Sequence, residues 1–140
     1  MSDSGSDERK PLIVRPDQGR SYDMGSMRAV FFADGDETAG RYSISEWWIE
    51  PCTRGPGAHS HPDDHIFCVL TGTLSLFIDG EKTDAPRGSY ALIPGGVQHD
   101  FENHGTEECG FISINAPAGF EQMMPGIVGW LAENPLSPVA

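Results

Sequence analysis

The chain has 140 residues, the size of one compact domain. Its 17 glycines and 11 prolines are too many for a helical bundle, whose interior both residues damage, while 38 % apolar residues are enough for a core and exclude wholesale disorder. A formal charge of −12, from 9 basic and 21 acidic residues, has the wrong sign for nucleic acid or an anionic membrane as partner.

Residues 1–10 are small and polar, with the composition of a disordered leader. They carry a charge of only −1 (Asp3, Asp7 and Glu8 against Arg9 and Lys10), so the acidity belongs to the body at 11–140. From Leu12 onward, short apolar runs alternate with turn signals. Predicted strands fall at 28–33, 41–50, 65–70, 73–79, 89–93, 98–103 and 109–115, many of them rich in the β-branched and aromatic residues that strands favour. Asp79-Gly80 is a two-residue hairpin signal between the strand at 73–78 and the segment after it. Pro94-Gly95-Gly96 and Asn103-His104-Gly105 mark further turns. Strands at this spacing predict an all-β sandwich or barrel.

The C-terminal stretch differs. Over 119–134, Phe120, Met123, Met124, Ile127, Val128, Trp130 and Leu131 recur at helical spacing, and Pro125 divides the stretch into two short pieces. This predicts a helical flap on the barrel. Cys52, Cys68 and Cys109 are odd in number and lack CxxC spacing, so a disulfide framework is not expected and buried thiols are. No apolar leader or membrane-length run is present, which reads as a cytoplasmic protein.

The informative segment is Gly57-Ala-His59-Ser-His61-Pro-Asp-Asp-His65. In extended chain, residues i and i+2 share a face, so His59 and His61 can present both imidazoles to one ion. His65 opens the next strand with Phe67 and Val69 on its face, and His99 follows 34 residues later with Phe101 on its face. Four imidazoles suit one divalent transition metal, with Fe, Mn, Co, Ni, Cu and Zn all open. His104 sits in a turn with the opposite parity and is set aside.

The frame around these histidines carries a resemblance. Gly57-x-His59-x-His61-x-x-x-His65-x6-Gly72 resembles the first motif of the cupin superfamily, and Gly88-x5-Pro94-x-Gly96-x-x-His99-x-x-x-Asn103 resembles its second. The likeness covers about 41–115. It implies a single double-stranded β-helix barrel (jelly roll) with a metal held inside by His59, His61, His65 and His99. The first motif usually has glutamate where this chain has His65. Four neutral imidazoles leave a divalent ion its full charge, which favours an anionic ligand such as an enolate, carboxylate or phenolate.

The strand Tyr42-Ser-Ile-Ser-Glu46-Trp47-Trp48, the loop 51–57 and the tail Ala118–Pro125 resemble the quercetinase-like branch of single-domain cupins. That implies a metal-dependent dioxygenase acting on a small enolic, phenolic or β-diketone-type compound. An O2-independent isomerase, cyclase or lyase and a non-catalytic binding module are the alternatives. Phe67, Val69 and Phe101 are the expected apolar wall of the substrate pocket. No general base is assigned. Glu46 is the candidate, and Asp63 and Asp64 read as solvated turn residues. Ile66, Cys68 and Leu70 face outward, which predicts a homodimer.

Overall fold

A computed structural model describes residues 9–139. Most of the predicted leader, residues 1–8, lies outside the described residues. Its last two residues pack against the body: Arg9 donates to the Thr38 carbonyl oxygen (3.2 Å), and both Arg9 and Lys10 line a surface hollow beside Phe32 and Tyr42.

The described chain forms strands β1 (Arg20–Asp23), β2 (Met27–Ala33), β3 (Ser43–Ile49), β4 (Asp64–Thr71), β5 (Thr73–Ile78), β6 (Glu81–Pro86), β7 (Tyr90–Ile93), β8 (His99–Glu102) and β9 (Cys109–Ala116). A one-turn helix α1 (Gly35–Thr38) follows β2, and a 3-10 turn (Phe120–Met123) leads into α2 (Met124–Glu133). One sheet has the order β1-β2-β3-β9-β4-β7 and the other β6-β5-β8, with every pairing antiparallel. This is the expected all-β jelly-roll barrel with a short C-terminal helical segment.

Alternation drives the sheet. In β3, Ser43, Ser45, Trp47 and Ile49 are buried while Ile44, Glu46 and Trp48 lie on the other face. In β4, His65, Phe67 and Val69 turn inward and Ile66, Cys68 and Leu70 outward. Trp47 packs edge-on against Phe31 and Phe101 (ring centroids 6.4 and 6.2 Å) and stacks parallel to Phe111 (6.4 Å). Such aromatic pairs contribute about 0.5–1.5 kcal/mol each beyond their buried area. Asp79 and Gly80 both have positive φ (49° and 83°), as the two-residue hairpin β5–β6 requires.

Three local features depart from the sequence reading. The strand β1 and the helix α1 were not anticipated. Arg20–Asp23 is a short polar edge strand held by β2, and α1 is a single turn closed by a capping box between Asp34 and Glu37. Of the cysteines, only Cys109 is buried, where burial pushes its thiol up to about 11. Cys68 is half-buried on the outward face and Cys52 is exposed, and all three are free. The helical tail divides as expected, with Pro125 in the first turn of α2, where its missing N–H costs nothing.

Candidate metal centre

The loop before β4 is tied to β8 by an isolated antiparallel bridge. The His59 N–H donates to the His99 carbonyl (2.9 Å) and the His99 N–H donates to the His59 carbonyl (2.8 Å). The Gly96 N–H donates to the His61 carbonyl (2.9 Å), which fixes the next two residues of the loop. Two segments separated by 40 residues thus meet through main chain, and their side chains converge.

Each ring is then turned by its Nδ1. His59 Nδ1 donates to the Gly57 carbonyl (2.7 Å) and His99 Nδ1 to the Val97 carbonyl (3.0 Å). His61 Nδ1 lies 3.0 Å from Asp63 Oδ1 and 3.3 Å from the Asp63 main-chain carbonyl oxygen. Carbonyl and carboxylate oxygens only accept, so the proton sits on Nδ1 in all three rings and each Nε2 presents a lone pair. One ligand atom from each of His59, His61 and His99 lies within 4.8 Å of the others. The Nε2 atoms of His61 and His99 are buried without a hydrogen-bond partner. A buried acceptor in that state costs about 1–3 kcal/mol unless something binds it. Three convergent bare imidazole nitrogens fit a divalent transition metal.

His65 adjoins this group without joining it. Its ring is 5.4 Å from His61 and 5.5 Å from His99 between centroids, it stacks on Phe67 at 4.0 Å, and its Nε2 lies 2.6 Å from Ser113 Oγ. Its Nδ1 is buried and unpartnered. Burial, then the neighbouring His99, His61 and His59, holds the His65 imidazole well below its ordinary value. His99 is lowered as well, chiefly by burial. Both are therefore neutral at neutral pH, the form a ligand needs.

The other expected residues divide. Phe101 lines the cavity beside the histidines. Phe67 and Val69 point inward as their parity requires but lie deeper, in the core; Phe67 packs behind Phe101 and Phe111 (6.1 and 5.3 Å). Glu46 is on the outward face of β3, opposite Val30 and Ile112, so the geometry does not bring it to the histidines. Asp64 accepts from the Gly95 N–H (2.9 Å) at the exposed turn. His104 pairs with Glu102 (2.7 Å), away from the centre. Asp63 corrects the sequence reading: it is buried, bound to His61 on one oxygen and to Asn115 Nδ2 on the other (2.8 Å).

The cavity over the histidines has a volume of about 740 Å³. Trp47, Phe101, Phe111 and Phe120 supply aromatic walls, and Ile127, Trp130 and Leu131 of α2 close one side. Aspartate, glutamate, lysine and arginine are all missing from the lining among the described residues. Sequence reasoning identified α2 as a helix but not as a wall of the site.

The cupin domain family matches residues 46–115, half of the chain and both histidine motifs. The chain belongs to the cupin family. This cupin is 32 % identical over 99 residues to quercetin 2,3-dioxygenase of Bacillus subtilis (strain 168), a match covering 67 % of this chain and 28 % of that protein. The match spans only part of the curated relatives' own length, between 28 % and 53 %. KdgF from Halomonas sp. has the same fold, with a TM-score of 0.70 at 15 % identity over 81 % of this chain and 99 % of that one. The polyketide cyclase RemF from Streptomyces resistomycificus gives a TM-score of 0.66 at 19 % identity, covering 76 % and 80 % of the two chains. Likenesses at such identities show the fold alone. No described helix of this cupin is long and apolar enough to cross a membrane.

Proposed function

We propose that this cupin is a metal-dependent dioxygenase acting on a small enolic, phenolic or β-diketone-type compound. One divalent transition ion would be held by His59, His61 and His99, with His65 as the fourth ligand. The observation that carries the reading is the convergence of ligand atoms of His59, His61 and His99 within 4.8 Å of one another, with His59 and His61 opening on an apolar cavity. When bound, the ion supplies a Lewis-acidic focus for a chelating pair of oxygens and an electron route to O2.

The chain's own residues do the rest. Trp47, Phe101, Phe111 and Phe120 take up the flat apolar body of a substrate and exclude water from it. Beside Ser60 and Gln122, the histidine cluster is the polar part of otherwise uncharged walls, so an anionic oxygen orients toward it. With no carboxylate in the lining, the substrate would have to arrive as its enolate. The test is oxygen uptake by metal-loaded protein with a flavonol and a β-diketone, beside elemental analysis of the protein as isolated. Uptake that disappears in His99→Ala supports the reading; conversion of substrate under nitrogen favours an O2-independent cyclase, isomerase or lyase. Tight binding without turnover points to a non-catalytic module.

Pairing through the outward face of the six-stranded sheet belongs to the same proposal. The register aligns Ile44, Ile114, Ile66 and Leu92 in one row across four strands, with Ile112, Cys68 and Tyr90 in the row beside it. Tyr90 and Leu92 are 78 % and 62 % exposed. An apolar face of this kind is normally covered, and a second copy covers it by symmetry. Sedimentation of wild type and Leu92→Glu reads this directly: a dimer that dissociates on substitution is expected, and a monomeric wild type rules it out.

A further inference from the structure

We propose that Asp63 is a positioning residue that sets the proton placement on two histidines of the centre, His61 directly and His65 through Asn115 and Ser113. The inference deepens the metal-centre reading and rests on it for its effect on metal affinity, but not for the proton placement itself.

An ionised carboxylate has only acceptor sites. Asp63 Oδ1, 3.0 Å from His61 Nδ1, therefore requires a proton on that nitrogen and leaves Nε2 bare. Asp63 Oδ2 receives Asn115 Nδ2 at 2.8 Å, which turns the amide oxygen of Asn115 the other way. That oxygen faces Ser113 Oγ at 3.4 Å, so the hydroxyl proton points to Asn115. Ser113 Oγ is then an acceptor for His65 Nε2 at 2.6 Å, the proton of His65 sits on Nε2, and Nδ1 is left bare.

The prediction of this chain is that His61 Nε2 and His65 Nδ1 carry the free lone pairs. Those two atoms are also buried nitrogens without a partner. Asp63, Ser113, Asn115 and His65 are 8 %, 1 %, 1 % and 5 % exposed, so water does not compete freely for these bonds. A buried network of this kind has one low-energy arrangement of its protons, and here the carboxylate chooses it. His59 and His99 are internal controls, because main-chain carbonyls orient them instead.

The test is histidine tautomer assignment by long-range 1H–15N spectra of the metal-free protein at pH 8. Wild type should show Nδ1–H for His61 and Nε2–H for His65. Asp63→Asn replaces one of the two acceptor oxygens by NH2, so one partner must reverse: either the Asn115 amide turns, Ser113 donates to His65 and His65 switches to Nδ1–H, or the NH2 faces His61 and His61 switches to Nε2–H, while His59 and His99 stay unchanged. The double variant Asp63→Asn/Asn115→Asp returns the carboxylate to the chain and should restore Nε2–H on His65. Should Asp63→Asn fail to fold, Ser113→Ala cuts the chain alone, and a mixture of tautomers on His65 with His61 unaltered is the expected result. Cobalt(II) affinity by chelator competition should fall about 10- to 100-fold in Asp63→Asn, the usual cost of losing a carboxylate behind a ligating histidine. His61 and His65 both unswitched in Asp63→Asn, or an undisturbed His65 in Ser113→Ala, overturns the proposal. A wild type that binds no cobalt but shows the switch removes the metal reading and leaves the tautomer assignment standing.

Discussion

The histidines at one end of the barrel are held in two different ways. On the β8 side, His59 and His99 are tied to each other by a main-chain bridge, and each ring is turned by the carbonyl two residues before it. On the β4–β9 side, side chains turn the rings: Asp63 faces His61 Nδ1 at 3.0 Å, ahead of its own carbonyl at 3.3 Å, and Ser113 faces His65, the two being joined through Asn115. Main-chain orientation cannot be deleted by changing a side chain, whereas side-chain orientation can. One half of the site is therefore set by the fold, and the other half is adjustable by single substitutions.

Removing a ligand should erase the distinction altogether. His99→Ala and His61→Ala are each expected to lower metal binding by more than about 100-fold, since structural and catalytic sites depend on their full ligand count; elemental analysis after dialysis reads this. A wild-type metal content in either variant would put the ion elsewhere. Disturbing the fold-set half requires a backbone change. Gly57, whose carbonyl holds His59 Nδ1, has φ 105°, a conformation that costs an ordinary residue roughly 1–3 kcal/mol. Gly57→Val should lower the melting temperature and weaken metal binding together, whereas Ser113→Ala on the adjustable half should leave His59 and His99 in place.

Acid provides a third way to separate the halves. His65 is held well below its ordinary value, so the unfolded chain gains protons near pH 6.5 while the folded chain does not. Stability of the metal-free protein is then complete above about pH 6.5 and is lost as pH falls toward the folded value, at up to about 1.4 kcal/mol per pH unit for each such proton. His99 adds to the same trend. Thermal melts between pH 8 and 5 should show this slope in wild type and a shallower one in His65→Phe; equal slopes would mean that His65 is not the buried neutral group. The smallest effect on the ion is expected at Phe120, whose ring is 5.7 Å from His61 and lines the cavity. Phe120→Ala should leave metal content unchanged and raise KM for an apolar substrate. A loss of metal there would show that the wall and the ligands are one unit.

The histidines of both halves were legible: His59, His61, His65 and His99 follow from the two-residue period of extended chain and from the glycine and proline spacing around them, which local sequence displays. Asp63 was not legible. Pro62-Asp63-Asp64 has the composition of a solvated turn, and the group that receives its inner oxygen, Asn115, arrives from 52 residues away. Strand β3 shows a similar limit. Trp47 and Trp48 place aromatics on both parities, so the pattern does not choose a face for Glu46; the burial of Ser43 and Ser45 behind β2 and β9 does. For Phe67 and Val69 the parity was readable but the depth was not, because the aromatic residues that cover Phe67 come from β8 and β9.

Helix α2 has a consequence for how such a protein can change. Seven cavity-lining positions, Phe120, Gln122, Met123, Gly126, Ile127, Trp130 and Leu131, lie in one stretch near the end of the chain, beyond the matched family region and free of histidine. The imidazoles are written earlier, between 59 and 99. A tail of a dozen residues can therefore be rewritten, by evolution or at the bench, to admit a different guest while the ion's holder stays as it is.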